Sequence, residues 1–292
     1  MLDSERSSMK NRTLALISLI CVFAMPAWAQ SGTLEKIRKQ GAITMGYLDG
    51  AAPFSFRDAN QHPQGYSVEL CRAIASGIRA QLKLDSLETR WVALTIQNRL
   101  EAVKSGRVDI ECSTTTWTLG RQANVDFSLI TFVDGGSILT RVESEAGRLS
   151  DFNGKRIAVI TGTTTERVLK ETIARRAIQA EVVTVTARAE GLRLLDQRKV
   201  EGFASDRMVL IGVVLTSKTK GAFKLLDEDF SVEPYALALP RGDHDYRLAV
   251  NRVLARLYRT GEIQKIYEQW LGRLGPPSVL LSATYFIQGL SE

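Results

Sequence analysis

The sequence predicts an α/β fold of two lobes, with a ligand cleft between lobes joined by two hinge strands. Three observations carry that expectation. Short apolar runs alternate with amphipathic stretches, the pattern of parallel strands with crossover helices. Two longer extended segments, 129–141 and 232–239, bracket one alternating unit, as if the chain left one lobe and later returned to it. A short strand also runs into the hydroxyl cluster Ser113-Thr114-Thr115-Thr116, with Arg121 just beyond. Open α/β sheets bind ligands at the carboxyl ends of their strands, which is where this cluster falls.

The elements follow in chain order. Lys10 and Arg12 precede the apolar run 14–25, and Ala27-Trp28-Ala29 supplies small residues before a cut at Gln30, the pattern of a cleavable export signal. The run is short for a membrane span. A strand is expected over 42–47 and a helix over 65–82, whose apolar face is Val68, Leu70, Ile74 and Ile78. A strand over 87–92, a helix over 97–104 closed by Ser105-Gly106, and a strand over 108–112 follow. After the extended segment 129–141 comes a polar stretch, 142–153. Strands over 156–160, 182–186 and 202–205 then alternate with helices over 164–180, 190–197 and 207–214. Helices over 246–260 and 261–271 end the chain, before a tail containing Pro276-Pro277. The division expected is a signal at 1–29, a first lobe at 30–138, an inserted lobe at 139–232, and a return to the first lobe at 233–292. A single continuous sheet, or lobes divided at one crossing, would contradict this arrangement.

A chain of 292 residues can build two real cores. The net charge of +6 favours anionic partners only weakly, and nothing points to nucleic acid. Beyond the signal no second apolar segment approaches a membrane span, so residues 30–292 are expected to be soluble. Two cysteines lie beyond the signal, Cys71 and Cys112. An exported protein could oxidise them; two small buried thiols is the equal alternative. His62 and His244 are far apart and no Cys/His cluster has metal spacing, so neither a metal nor a cofactor is expected.

Four charged residues fall where a strand hands over to a helix: Arg99, Arg121, Arg188 and Asp206. A cation at a helix start opposes the helix dipole, so three of them there point to something anionic nearby. Arg121 offers a two-pronged donor that matches a carboxylate; the plainer reading is a Thr118 helix cap followed by a surface arginine. Asp206 is also a natural N-cap, and a cap carboxylate keeps lone pairs for an ammonium. Thr163 and Glu166 have capping-box spacing, at a helix start able to bind an anion.

Several stretches resemble one family: Gly32-Thr33-Leu34-Glu35-Lys36-Ile37, Pro53-Phe54-Ser55-Phe56, Gly65-Tyr66-Ser67, Gln97-Asn98-Arg99, Phe127-Ser128, Gly162-Thr163-Thr164, and Gly261-Glu262-Ile263 leading to Trp270. Glu111-Cys112 before the Thr cluster, with Arg121 after it, is the most specific match. The chain resembles the periplasmic amino-acid-binding proteins of ABC importers (family 3), within them the glutamate/aspartate-binding type. The resemblance implies a periplasmic-binding-protein fold, an amino-acid ligand, an inner-membrane ABC permease as partner, a periplasmic location, a monomer, and no enzymatic activity. It implies that Arg121, with Thr116 and Thr163, meets the ligand α-carboxylate. Asp206 and Thr114 would meet the α-ammonium, and Arg99 the side-chain carboxylate. Phe54 would form an aromatic wall, with an ordinary core phenylalanine as the alternative.

The chain departs from the type at three contacts. Leu48 and Ile96 stand where an Arg and a Ser would be expected, and Arg188 where a His would be; Arg188 could replace lost positive charge. Leu237 stands about where the family's partner for Cys112 would lie, which leaves Cys71 as a substitute or no disulfide. The competing functions are a cyclohexadienyl-dehydratase-like enzyme on the same scaffold, and a soluble ligand-sensing partner of a membrane receptor. No convincing catalytic pair supports the first, since Glu111, the carboxylate nearest the Thr cluster, reads as structural.

Overall fold

The computed structural model describes residues 32–216 and 221–291; the export segment expected at 1–29 lies outside them. Helix α1 (Thr33–Gln40) leads into strand β1 (Ala42–Leu48). A small hairpin, β2 (Phe56–Arg57) and β3 (Pro63–Gln64), precedes α2 (Tyr66–Gln81). Gly65 starts α2 at φ +120°, and a Cβ there would lie 2.4 Å from the Phe54 backbone, so only glycine fits. Tyr66, Leu70, Cys71, Ile74 and Ile78 bury one face of α2, as their spacing of three and four residues requires. Strand β4 (Glu88–Leu94), helix α3 (Arg99–Lys104), strand β5 (Ile110–Glu111) and the short α4 (Leu119–Gln122) complete the first stretch.

Strand β6 (Asp126–Arg141) is 16 residues long. Beyond it lie β7 (Arg156–Ile160), α5 (Thr164–Arg175), β8 (Glu181–Val185), α6 (Arg188–Asp196), β9 (Gly202–Asp206), α7 (Arg207–Thr216) and β10 (Phe223–Leu225). Strand β11 (Ser231–Leu239) returns the chain to α8 (His244–Thr260), α9 (Glu262–Leu271) and α10 (Val279–Gln288). The expected helix over 164–180 is shorter than its pattern: the chain leaves it after Arg175, and Ala177 sits at φ +52°. Helix α10 replaces the expected tail. Ser278 after the two prolines caps it, accepting a hydrogen bond from the Leu281 N–H.

The main sheet runs β4-β1-β5-β11-β6-β9-β7-β8, with β10 on β6. Pairing is parallel at both ends, β1 with β4 and β5, and β7 with β8 and β9. It is antiparallel in the middle. The expectation of one sheet per lobe is therefore corrected: the ladder is continuous. The reason is the length of β6, roughly 50 Å at about 3.3 Å per residue. Its first part pairs with β11, up to Gly136; its last part, from Gly136 on, pairs with β9 and β10. The fold is nonetheless two-lobed, and the cores show it. One is built from Ile43, Met45, Leu70 and Ile74 with Tyr246, Val250 and Leu254 of α8. Another joins Ile138, Phe152, Ile157, Val159 and Leu169. The lobes touch through α7, whose Val209 joins the first core. A Cβ on Gly212 would lie 2.1 Å from the Ala52 carbonyl oxygen.

Candidate functional site

Five strand ends converge between the lobes. Strand β5 delivers Thr114 and Thr116, and β4 delivers Ile96 and Arg99. From the other side β7 delivers the turn Thr163–Thr165, β8 delivers Arg188, and β9 ends on Ser205 and Asp206. The cavity these residues line is about 10 Å³, room for about one water. The lobes are shut on the site, and an amino acid must part them to enter.

Three guanidiniums lie at or beside this cavity, and two of them lack partners. Arg99 is buried, and among the described residues its guanidinium has no hydrogen-bond or ion-pair partner. Arg188 is half-buried, with Nε enclosed and unbonded. Burial pushes its pKa down; Asp206 opposes that shift and Arg99 adds to it. Arg121 is pushed down to about 10 by burial and by Arg99, against the pull of Glu233, Asp206 and Glu111. Its Nη1 donates to the Thr116 carbonyl at 2.8 Å. An unpartnered guanidinium out of water is costly; two such groups facing one cavity are a receptor for negative charge or strong acceptors.

The carboxylates are the counterweight. Asp206 accepts from Thr165 Oγ1 at 2.9 Å and from Tyr235 Oη at 2.5 Å. Tyr235 Oη also lies 3.0 Å from Asp134 Oδ2. Asp134 accepts from the Gly135 and Met208 N–H groups. Burial, then Asp206, push its pKa up to about 8. Glu233 Oε2 accepts from Thr116 Oγ1 and Thr164 Oγ1, each at 2.7 Å, while Ser231 Oγ donates to Oε1. Burial and Asp206 raise the Glu233 pKa. Glu111 is fully buried with both oxygens unbonded, and burial raises its pKa against the pull of Arg99. Thr114 Oγ1 is likewise buried without a partner.

The structure thus brings Arg99, Thr114, Thr116, Thr163, Arg188 and Asp206 to one cavity. Three expectations need correction. Phe54 does not reach it: its ring sits in the core against Phe132 at 4.8 Å and Tyr235 at 5.4 Å, because the chain turns it inward before α2. The Thr163 hydroxyl donates to the Ile160 carbonyl and accepts from the Glu166 N–H, so it caps α5, and Thr164 is the hydroxyl that faces inward. Arg121 lies behind the Thr163–Thr164 turn, on an adjoining open pocket; its own N–H is capped by Thr118, as the plainer reading held, but its side chain is half-buried rather than on the surface. The Thr116 hydroxyl is already engaged by Glu233. Sequence reasoning missed Thr164, Thr165, Ser205, Asp134, Glu233 and Tyr235. The Glu233-Pro234-Tyr235 run on a hinge strand was the available signal, two polar groups within an apolar extended segment. Cys71 and Cys112, left open between two alternatives, are bonded, with Cα atoms 6.2 Å apart.

The family model for bacterial extracellular solute-binding proteins, family 3, matches residues 43–273. The chain is 30% identical to the L-glutamate/L-aspartate-binding protein of Pseudomonas aeruginosa, over 91% of this chain and 88% of that one. It is 27% identical to the glutamate/aspartate import solute-binding protein of Escherichia coli, over 86% and 83%. Among solved structures it is similar to an ancestral arginine-binding protein bound to arginine, with TM-score 0.71 and 26% identity over 80% of this chain and 99% of that one. It is also similar to the ancestral amino-acid-binding protein AncCDT-1, a precursor of cyclohexadienyl dehydratase, with TM-score 0.70 and 26% identity over 82% and 99%.

Proposed function

Because the chain belongs to the bacterial extracellular solute-binding proteins, family 3, we propose that it captures glutamate or aspartate and passes it to an ABC importer. That it is an amino-acid-binding protein of such an importer follows from the family; the acidic side chain is the finer step. We read its work as periplasmic, after removal of residues 1–29, by a monomer whose lobes divide near 139 and 232. The ligand ammonium would sit on Asp206, which keeps lone pairs beyond its two hydrogen bonds, near Thr114. The α-carboxylate would meet the Thr163–Thr164 turn and Thr116, with Arg121 behind. The distal carboxylate would meet Arg99 and Arg188. Closure of the lobes would be the ligand-biased step.

The supporting observation is the pair Arg99 and Arg188, which reach one cavity from different lobes without a partner. A carboxylate offers opposite charge and an acceptor oxygen to each, whereas a side-chain amide offers one neutral acceptor oxygen and a donor NH2 group. The relatives that carry the likeness are transport binding proteins, which supports binding over the dehydratase alternative.

The test is calorimetric titration with glutamate, aspartate, glutamine and asparagine at one pH and salt. The acids should bind at least tenfold tighter than their amides. Arg99→Met and Arg188→Met should each erode that ratio more than they weaken binding of the amides. Tighter binding of the amides would overturn the acidic assignment.

A further inference from the structure

Next to the inner cavity lies a second, open chamber of about 660 Å³. Ile96 and Arg188 are walls of both, so the chamber begins where the distal end of a ligand side chain would point. Its other walls are largely apolar and come from both lobes: Leu48 and Leu94 from the first, Leu192 and Val213 from the second. The Gln97 side-chain amide donates to the Thr186 carbonyl at 3.2 Å across it. Small-ligand sites commonly span about 300–1,000 Å³ and are apolar with a few placed polar groups. Free glutamate would end at the arginines and leave this space unused.

We propose that the chamber seats a substituent carried on the ligand's distal carboxyl group, so that the protein binds γ-glutamyl compounds with an apolar second residue. The inference rests on the amino-acid reading above, since the glutamyl ammonium and α-carboxylate keep their places. The γ-carbonyl oxygen accepts from Arg99. The second residue's carboxylate lies at Arg188, whose buried Nε lacks a partner, and its apolar side chain rests on Leu48 and Leu192. With the lobes shut, walls from both already flank it.

The experiment titrates the purified protein with glutamate and with γ-glutamyl-leucine, and repeats both on Ala189→Trp. Ala189 is exposed and lines the chamber, so the substitution fills space without disturbing a core. The expected result is γ-glutamyl-leucine within tenfold of glutamate or tighter. Ala189→Trp should then weaken the dipeptide tenfold or more while glutamate changes less than threefold. If glutamate binds and the dipeptide is more than tenfold weaker, the chamber is no subsite and the amino-acid reading stands. If Ala189→Trp leaves dipeptide binding unchanged, or shifts both ligands equally, the substituent does not occupy the chamber and the inference falls. If neither compound binds, the acidic reading fails and takes this inference with it.

Discussion

The Tyr235 hydroxyl carries one hydrogen and lies within bonding distance of two carboxylates, Asp206 at 2.5 Å and Asp134 at 3.0 Å. Both contacts are hydrogen bonds only if a second proton is present. Asp134 is its natural seat, because burial and the Asp206 charge raise its pKa to about 8. Protonated Asp134 then donates to Tyr235, which donates to ionised Asp206. The sign of the linkage follows. Folded Asp134 keeps a proton that the unfolded chain releases near its ordinary value of 3.8, so stability falls as pH rises from about 4 to about 8. Asp134→Asn keeps the donor toward Tyr235 and removes the titration. Its melting temperature should vary less between pH 5 and pH 8 than the parent's; parallel profiles would place the proton elsewhere. Asp206→Ala should cost about 2–5 kcal/mol of ligand binding, or at least about thirtyfold, and a loss within threefold would remove Asp206 from the site. That Arg99, Arg188 and Asp206 gather at one cavity was legible in the sequence, because strand-to-helix handovers mark positions in any α/β chain. Glu233 and Asp134 were not, because on an extended segment only pairing geometry decides which side chains face the cleft.

At the scale of elements, the disulfide ties α2 to the segment after β5 that carries the hydroxyl cluster. It closes a loop across a sequence separation of 41. Chain entropy assigns such a link about 4 kcal/mol, at the upper end of the usual range. Replacing both cysteines with alanine should lower the melting temperature by roughly 5–15 °C. A shift under about 2 °C would mean that the native state gives back what the unfolded state gains. The pairing was not legible, since it depends on α2 lying against β5. The helix over 65–82 was, because its apolar spacing has one solution. Helix α10 was hidden by two prolines, which read as a tail until Ser278 is seen capping the turn that follows. Thr163 and Thr164 differ only in which is the cap and which the first helical residue, a one-residue distinction that sequence patterns rarely resolve.

Over the whole molecule, the two extended segments were the legible part of the architecture, and the continuous ladder was the illegible part. A strand's length shows in its composition, but its change of partner midway does not. That change makes β6 and β11 the link between lobes, and Glu233 stands on this link. Its carboxylate joins Thr116, held against β11 by the Trp117 N–H to Pro234 carbonyl bond, to Thr164 at the start of α5. The Thr164 bond joins the return strand β11 to the start of α5 across the cavity, so parting the lobes should break it. Two effects of Glu233 oppose each other in ligand binding. Its charge repels a ligand carboxylate, while its bond to Thr164 helps hold the lobes together around a bound ligand. Substitutions separate them, because glutamine removes the charge and keeps an acceptor, whereas alanine removes both. Glu233→Ala should therefore bind glutamate about fivefold more weakly than Glu233→Gln, the equivalent of about one net hydrogen bond. Unliganded Glu233→Ala should also show a larger radius of gyration by small-angle scattering, since fewer molecules are shut. Equal affinities for the two variants would show that closure draws nothing from Glu233, and that its burial against two threonines serves the fold alone.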